Sequence, residues 1–305
     1  MNANKKFLTA CLVFVLGVLA LDNLVGLFFD QMLEKLPNEG ERVAKSNYSL
    51  KKVEADLIVI GSSRAECHYD TEVLSKSFPE YTVYNCGGDG QGFLYCNVLL
   101  NGMVNRYTPK VVIWDMQFHE LYKKKHNLSL LYPHYTHDTY IYNTLNSEED
   151  VSFRLKMLLN SYRYNATSLR ILRSVYTPSA VLENKKGFGP RPVRKNMIVP
   201  SEKGGRDADL DPNMVNHLQA TIDKLHTKGI KLVIVMSPVF NVAENNNTVA
   251  KLEEICKENN VLFVNHSQLD GFVHNSDLFY DSNHLNSKGA EIFSETLVKQ
   301  IKGFI

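Results

Sequence analysis

Cysteine, excess charge of one sign and sequence repeats are all scarce in this chain of 305 residues. Its five cysteines form no CxxC pair and are too sparse for a disulfide scaffold, which excludes a zinc knuckle or a small secreted module. With 34 basic and 33 acidic residues, the net charge is +1 and no basic stripe predicts a nucleic-acid partner. Because 44% of the residues are hydrophobic, the chain can bury a large core and is not a disordered protein.

A long apolar run near the amino terminus is the first positive feature. Residues 7–29 read FLTACLVFVLGVLALDNLVGLFF, interrupted by Asp22 and Asn23, and as a helix they would extend roughly 34 Å, enough to cross a bilayer. Lys5 and Lys6 precede the run, so a cleaved signal peptide is the alternative. No small-x-small cleavage site follows cleanly, and apolar residues resume after Asn23, which favours an uncleaved anchor.

Charges around this run predict its orientation. The two lysines before it favour a cytoplasmic start, so we expect a single-pass protein of the cytoplasmic membrane with its soluble part on the extracytoplasmic, periplasmic side. Residues 1–30 are then an anchor that contacts the lipid bilayer, and the polar residues 31–52 form a linker. Asp22 lies near the end of the span, where we expect it at the membrane interface.

From residue 53 the pattern changes to short apolar runs that alternate with helical patterns. Continuous apolar strands are typical of a parallel sheet covered on both faces. The predicted strands are Asp56 to Ile60, Tyr81 to Tyr84, Val111 to Trp114, Ile230 to Met236 and Val261 to Val264. The predicted helices are Gln91 to Arg106, Pro212 to Thr227, Val249 to Asn259 and Ser287 to Ile301. The pattern predicts a doubly wound α/β domain over residues 53–305, with functional residues at the carboxyl ends of strands.

Residues 116–210 interrupt this alternation and are too many for a bare loop. We predict an insertion with short helices near Val151 to Tyr162 and Ser168 to Val175. Its tyrosines could line a carbohydrate groove or simply pack the insertion: Tyr132, Tyr135, Tyr140 and Tyr142. Its histidines have no carboxylate or cysteine at ligand spacing, so we predict no metal site and no cofactor: His119, His126, His134 and His137.

Two serines follow the first predicted strand, in the sequence Ile60-Gly61-Ser62-Ser63-Arg64. A serine in this turn would be exposed at the edge of the sheet, close to the backbone N–H groups of the next helix. Serine is also a preferred helix-capping residue. The turn alone therefore fits either a nucleophile or a helix cap.

A second polar group lies just before the last helix, where Asp281 and His284 are three residues apart. A turn can bring both side chains to the same side, so that the carboxylate accepts from one imidazole nitrogen and the other nitrogen faces a site. This is the arrangement of the orienting acid and the base in a serine triad. The alternative is a loop aspartate and a helix-end histidine with no shared role.

A glycine-rich loop, residues 85–92, follows the second strand, and its backbone N–H groups suit an oxyanion or a phosphate. Asp115 at the end of the next strand would suit a dinucleotide site. However, a dinucleotide motif that includes Gly88 and Gly90 requires a third glycine where Phe93 stands, and the loop follows the second strand rather than the first. A nucleotide-dependent enzyme is therefore disfavoured.

The order of these parts resembles the SGNH, or GDSL-like, hydrolase superfamily, especially its membrane-anchored branch of DltD-like and alginate O-acetyltransferase-like proteins. The resemblance covers about residues 55 to 303 apart from the insertion, and implies a three-layer, flavodoxin-like parallel sheet. Gly61-Ser62-Ser63 resembles the first family block, which implies Ser63 as nucleophile. Residues 85–90 resemble the second, which implies Gly90 as an oxyanion donor. Asp281-Ser282-Asn283-His284 resembles the block that completes the triad.

The sequence departs from the family in the third block. After the strand Val111 to Trp114 the family has Gly-x-Asn-Asp, whereas this chain has Asp115-Met116-Gln117. The oxyanion donors are then the N–H groups of Ser63 and Gly90, with the Gln117 amide as a candidate substitute for the missing asparagine.

The resemblance and the anchor together imply a serine-dependent acyl-ester hydrolase or O-acyltransferase that acts on a cell-envelope glycan or related polymer. An acylated glycan would be the substrate, and a membrane acyltransferase is a candidate partner. The alternative function is a noncatalytic scaffold or binding subunit of an envelope polymer modification machine, which the departure in the third block favours.

Overall fold

The computed structural model describes residues 3–38, 40–123, 126–177, 185–194, 208–241 and 246–305. Parts of the predicted insertion, residues 178–184 and 195–207 with Gly204 and Gly205, lie outside the described residues. The chain divides into two compact units. The helical unit is Met1–Asn47 with Leu128–Ala180, and the sheet unit is Tyr48–Asn127 with Val181–Ile305.

The described residues contain the following α-helices: α1 (Ala3–Glu34), α2 (Arg42–Lys51), α3 (Ser63–His68), α4 (Thr71–Ser77), α5 (Phe93–Arg106), α6 (Thr139–Glu148), α7 (Val151–Lys156), α8 (Asn160–Asn165), α9 (Ser168–Tyr176), α10 (Pro212–Thr227), α11 (Asn247–Glu258) and α12 (Ser287–Ile301). Short 3-10 helices cover Ser129–His134 and Ser276–Leu278. The predicted linker thus contains the end of α1 and the whole of α2. The domain limits themselves remain predictions.

Within the described residues, the sheet unit contains one sheet of five parallel strands: β1 (Leu57–Ile60), β2 (Val83–Asn85), β3 (Val111–Asp115), β4 (Lys231–Met236) and β5 (Leu262–Asn265). The strand order is β2-β1-β3-β4-β5, the flavodoxin-like order, and the predicted three-layer α/β fold is confirmed. The strand order reverses between β1 and β3, because β2 is added on one side of β1 and β3 on the other, so their carboxyl ends form a crevice where ligands of such folds bind.

Helices cover both faces of the sheet because the strands are apolar on both sides. On one face, Leu57, Val59 and Ile113 pack with residues of α3, α4 and α12 in a core that includes Tyr69 and Phe293. On the other face, α5 packs against α10. There the Phe93 ring stacks on Trp114 with centroids 5.4 Å apart. All residues of β1 and β3 are buried, as expected of central parallel strands.

The helical unit contains α1, the one helix among the described residues that is long and apolar enough to cross a membrane by length and composition. Its large apolar side chains between Phe7 and Leu21 are exposed. Asp22, in contrast, is buried and accepts hydrogen bonds from the backbone N–H groups of Asn160 (2.7 Å) and Ser161 (2.9 Å). The side chain of Asp22 therefore ties α1 to the beginning of α8.

This tie explains why one predicted helix is broken. The sequence predicts a single helix near Val151 to Tyr162, but the structure has α7 and α8 with a turn between them. The N–H groups that begin α8 bond to the Asp22 carboxylate instead of continuing the hydrogen bonds of α7. The prediction of one helix was wrong because Asp22, which accepts the hydrogen bond from Asn160, lies 138 residues away along the chain.

Candidate active site

The turn after β1 carries Ser63 into the crevice between β1 and β3. Gly61 has φ +146°, a conformation that side chains rarely allow. A Cβ at this position would lie 2.7 Å from the carbonyl oxygen of Asp115 and 2.8 Å from Cβ of Ala65, so the site requires glycine. Ser62 occupies the N-cap position of α3 but makes no side-chain capping bond among the described residues, and Ser63 begins the helix. The hydroxyl of Ser63 contacts the imidazole of His284.

Asp281 and His284 lie in a tight loop before α12. Phe279 and Leu285 form an antiparallel bridge, and the N–H of Tyr280 donates to the carbonyl of His284 over 2.8 Å. Inside this loop, Oδ1 of Asp281 accepts from the N–H of His284 over 2.9 Å. The backbone therefore holds the carboxylate and the imidazole next to each other before any substrate is present.

A continuous hydrogen-bond chain joins the three predicted triad residues. Nδ1 of His284 lies 2.8 Å from Oδ1 of Asp281, and Nε2 lies 2.7 Å from Oγ of Ser63. Because a carboxylate can only accept, Nδ1 carries the proton and donates it to Asp281. In the neutral ring Nε2 then accepts from the Ser63 hydroxyl, which is the geometry of a general base next to its nucleophile.

The electrostatics favour a charged Asp281. Burial pushes its pKa upward, but hydrogen bonds from the His284 imidazole and from the N–H groups of Asn283 and His284 outweigh burial, so the pKa lies below its ordinary value. The side chains of Asp281 and His284 are 37% and 21% exposed, so the pair is open to a substrate. Asp281 thus stays ionised at neutral pH and can stabilise an imidazolium.

Asn286 and Gly289 fix the loop to α12. The Asn286 side chain caps the helix by accepting from the N–H of Gly289 over 3.0 Å. Its amide nitrogen also donates to the carbonyl of Asp277 over 2.9 Å. A side chain at Gly289 would overlap the backbone of Leu278, so glycine lets the first turn of α12 approach the preceding 3-10 helix.

A polar cleft of about 290 Å³ adjoins the turn that follows β1. Its lining includes the two oxyanion candidates Gly90 and Gln117, together with Ser62, Gln91, His119 and Glu120. Gly90 has φ +72° and so depends on being glycine. The structure therefore brings Gly90 and Gln117 to one cleft, which Ser62, the residue before Ser63, also lines. Their roles as donors remain predictions.

Asn85 joins the backbone segments beside this cleft through hydrogen bonds of its side chain. Its amide nitrogen donates to the carbonyl oxygens of Ala65 (2.8 Å) and Tyr69 (3.2 Å), while its side-chain oxygen accepts from the N–H of Gly87 over 2.9 Å. The end of β2 is thereby joined to α3, the helix that begins with Ser63.

No protein-family model matches the chain, and no curated protein sequence matches it. Solved structures of GDSL-like lipases and esterases resemble it. The psychrotrophic esterase EstA from Pseudoalteromonas sp. is 13% identical, with 82% of this chain and 98% of that chain covered and a TM-score of 0.42. An acetyl xylan esterase, AlAXEase, is 9% identical, with 82% and 99% covered and a TM-score of 0.42. A GDSL-like lipase from Bacteroides thetaiotaomicron is 10% identical, with 87% and 100% covered and a TM-score of 0.43.

With identities and TM-scores this low, a function can be assigned only from the side chains of this chain itself.

A buried polar cluster below the three predicted triad residues is the main feature that the sequence did not predict. Nη2 of Arg64 donates to the carbonyl of Met116 over 2.7 Å, and Nε lies 3.6 Å from Oδ2 of Asp115. Oδ1 of Asp115 accepts from the Tyr69 hydroxyl over 2.7 Å and from the N–H of Ser237 over 3.1 Å. Burial raises the pKa of Asp115, while Arg64 and the hydrogen bonds from Ser237 and Tyr69 oppose that change.

His68 extends this cluster to the loop that carries Asp281 and His284. Nε2 of His68 accepts from the N–H of Leu285 over 3.0 Å, which leaves Nδ1 as the protonated nitrogen, 2.9 Å from Oγ of Ser237. Burial holds the pKa of His68 well below its ordinary value, and the charges of Arg64 and His284 act in the same direction. Arg64 and Leu285 directly follow Ser63 and His284, so this cluster ties both ends of the Ser63–His284 bond to β3 and β4.

A segment of the predicted insertion, residues 185–194, also lies at this edge of the sheet. The carbonyl of Lys186 accepts from the N–H of Asn85 over 2.9 Å, and the carbonyl of Arg191 accepts from the N–H of Ser287 over 2.8 Å. The guanidinium of Arg194 stacks on Tyr280, 3.5 Å from the ring centroid. The segment therefore connects the end of β2 to the start of α12, which sequence patterns did not indicate.

The remaining candidates fall into different parts of the molecule. His119 and His126 line the cleft, while His134 and His137 belong to the helical unit, where His137 contacts Asp30 over 3.2 Å. Among the described residues, no group of three or more His, Cys, Asp or Glu side chains is arranged to hold a metal ion.

The tyrosines of the helical unit pack among themselves and their neighbours. Tyr132 contacts the ring of Phe153 with centroids 5.3 Å apart, and Tyr135 contacts Tyr142 over 4.9 Å. This is the packing alternative that the sequence left open for these two pairs.

Proposed function

We propose that the protein is a serine-dependent acyl-ester hydrolase or O-acyltransferase whose nucleophile is Ser63. The observation that carries this proposal is the hydrogen-bond chain from Ser63 through His284 to Asp281, with the imidazole nitrogen that faces the serine free to accept its proton.

The geometry supports the following reaction. Oγ of Ser63 attacks the ester carbonyl while Nε2 of His284 takes the hydroxyl proton, and Asp281 stabilises the resulting imidazolium. The ester C–O bond then breaks, and the leaving alkoxide takes the proton from His284. Water or a second hydroxyl attacks the carbonyl of the acyl-serine and gives its proton to His284. The bond between the acyl carbon and Oγ of Ser63 then breaks, and Oγ takes the proton back from His284. N–H groups of Ser63 and Gly90, with the Gln117 amide, are the proposed donors to the oxyanion.

The cleft supports a short acyl group on a hydroxylated substrate. Its volume of about 290 Å³ and its polar lining, with Gln91, Gln117 and Glu120, suit hydroxyl and amide groups better than a long alkyl chain. The apolar exposed surface of α1 supports attachment to the membrane. We therefore propose an O-acyl ester of a cell-envelope glycan or related polymer as substrate, on the extracytoplasmic side, with a membrane acyltransferase as a candidate partner.

A fluorophosphonate probe tests the nucleophile directly. The full-length protein in detergent should be labelled, Ser63→Ala should lose the label, and Ser237→Ala should keep it. Ser237 is the matched control because it also contacts a histidine, over 2.9 Å, but from the side of the protonated nitrogen. Undiminished labelling of Ser63→Ala would overturn the assignment.

Turnover then separates hydrolysis from transfer. With p-nitrophenyl acetate as donor, release of acetate to water and acetylation of an added oligosaccharide can be measured in the same reaction. Acetyl esters should react faster than octanoyl esters because the cleft is small and polar. A folded protein that neither takes the probe nor turns over any ester would favour the noncatalytic scaffold, for which the absence of the third-block asparagine is the motivating observation.

A further inference from the structure

The helices α7 to α9 expose large apolar side chains in the same compact unit as the apolar helix α1. We name residues 151–177 the helical platform. Leu158 is 71% exposed and Leu169 is 80% exposed. Val151, Leu155, Leu159 and Tyr176 are exposed as well. Single exposed apolar residues are ordinary, but this number within one short stretch indicates a surface that contacts something other than water.

The contacts of Asp22 fix the level of the platform along α1. The carboxylate accepts from the N–H of Asn160 over 2.7 Å and from its side-chain amide over 3.0 Å. Leu158 and Leu159 directly precede this anchoring residue. Gly26, one turn further along α1, leaves room for the Asn160 side chain, which any Cβ there would overlap. The exposed leucines therefore lie at the level where the exposed apolar stretch of α1 meets the platform.

Beyond Asp22, α1 keeps an apolar exposed face opposite its packed face. Leu24, Leu27 and Phe28 are exposed. On the packed side, Phe29 stacks on Tyr164 with centroids 5.1 Å apart. From Asp22 to Phe28 the helix rises about 9 Å. The start of α8 thus lies beside a part of α1 whose other face is still suited to lipid. In a bilayer crossed by α1, the platform would then lie at the boundary between acyl chains and headgroups.

Charge identifies the occupant of this surface. The platform contains five Arg or Lys residues and no Asp or Glu. Arg154, Lys156 and Arg170 are exposed, whereas Arg163 is buried and Arg173 pairs with Glu41 over 3.0 Å. Basic residues next to exposed leucines are the pattern of helices that lie in an anionic lipid interface. A second copy of the same surface would bring like charges together, which disfavours self-association.

We propose that the helical platform lies in the membrane interface beside α1, with its exposed leucines in the acyl-chain boundary and Arg154, Lys156 and Arg170 at anionic headgroups. The proposal rests on the proposed membrane insertion of α1. It assigns the helical unit a second contact with the bilayer, which would limit rotation of the protein about the anchor.

Fluorescence quenching in vesicles tests the proposal with the full-length chain. A Cys11→Ser background removes the exposed native thiol, since the other four cysteines are buried. Leu158→Cys or Leu169→Cys then carries an environment-sensitive fluorophore, in vesicles of phosphatidylcholine and phosphatidylglycerol with a headgroup-proximal nitroxide lipid. We expect the nitroxide lipid to lower the fluorescence at both positions several-fold relative to the same vesicles without it.

A fluorophore on Cys11 of the unaltered chain distinguishes failure of the platform proposal from failure of the membrane insertion of α1. Quenched Cys11 with unquenched positions 158 and 169 would overturn the platform proposal alone, and energy transfer between labelled copies would then assign the surface to self-association. Unquenched Cys11 would overturn the membrane insertion of α1 and the platform with it.

Replacing Arg154, Lys156 and Arg170 by Gln tests the role of the charges. It should abolish any excess of quenching in anionic over neutral vesicles, and an unchanged excess would contradict the assigned role of these charges.

Discussion

Two groupings of serine, histidine and aspartate lie at the carboxyl edge of the sheet among the described residues. One is the proposed triad of Ser63, His284 and Asp281, whose histidine and aspartate are partly exposed. The other lies below it and combines Ser237 and His68 with Asp115, all fully buried. The serine–histidine distances are almost equal, 2.7 Å in the triad and 2.9 Å in the buried group.

What differs is the nitrogen that faces the serine. In the triad the carboxylate holds the proton on Nδ1, so Nε2 accepts from Ser63. In the buried group the N–H of Leu285 occupies Nε2, so the protonated Nδ1 of His68 donates to Ser237. A serine that accepts a hydrogen bond from imidazole is not activated as a nucleophile. Residue types and distances alone therefore do not define a triad, and the direction of each hydrogen bond decides the chemistry.

Exchanging the two histidines for glutamine should give the largest contrast. His284→Gln removes the base, so we expect kcat to fall by about 10⁴-fold or more. His68→Gln can still accept from Leu285 and donate to Ser237, so kcat should fall by less than about 10-fold. Steady-state turnover of p-nitrophenyl acetate measures both variants. Equal losses would mean that His68 takes part in the reaction or that His284 is not the base.

The two aspartates should differ in a similar way. Asp281→Asn keeps the shape of the loop but favours the tautomer in which Nε2 carries the proton, so we expect kcat to fall by about 10³- to 10⁴-fold. Asp115→Asn should leave kcat within about 10-fold, because Asp115 contacts no triad atom, and should mainly change stability. A loss of activity at position 115 that exceeds the loss at position 281 would contradict the proposed roles.

The sequence indicates that Ser63, Asp281 and His284 can meet because each segment that carries them is local. Gly61 to Ser63 follow an apolar run, and Asp281 and His284 share one short loop, so their spacing can be read directly. Parallel strands place their carboxyl ends at one edge, which accounts for the meeting of residues 221 positions apart. The strand positions and the long helices of the sheet unit follow from apolar periodicity in the same way.

The buried cluster and the helical unit could not be predicted because their partners are distant and their residue types are ambiguous. Arg64 and His68 on α3 read as ordinary polar residues of a short helix, and only the packed structure shows that both are buried. Asp115 at the end of an apolar strand was the available signal, but in the sequence it suited only the disfavoured dinucleotide site and did not indicate a partner for Arg64. The break between α7 and α8 depends on Asp22. This residue is too far from α8 along the chain for a local sequence pattern to indicate the contact.

Removing the cation of the buried cluster should destabilise the sheet unit. Arg64→Met leaves Asp115 buried without its nearest positive charge, and we expect a loss of about 3 to 5 kcal/mol in the free energy of unfolding. Urea unfolding followed by the fluorescence of Trp114, the single tryptophan of the chain, measures this loss. Adding Asp115→Asn should recover part of it, because the buried charge is then absent.

An exposed ion pair provides the control for this variant. Glu72 and Lys76 contact each other over 2.9 Å, but their side chains are 76% and 74% exposed. Lys76→Met should leave the unfolding midpoint unchanged, since water screens this pair. A Lys76→Met variant as unstable as Arg64→Met would show that burial is not the deciding factor.

The smallest effect should appear in the pH dependence of stability. His68 stays neutral in the folded protein because its pKa lies well below the ordinary value, whereas the unfolded chain protonates it below about pH 6.5. The unfolded state therefore binds more protons in this range, and the free energy of unfolding falls as the pH falls, by about 1.4 kcal/mol per pH unit for one proton. His266, whose pKa is also lowered by burial, acts in the same direction. His68→Gln should therefore reduce the slope between about pH 6.5 and pH 5 by close to one proton without removing it. An unchanged slope in His68→Gln would mean that this imidazole is protonated in the folded state, and the distinction between the two serine–histidine pairs would then fail.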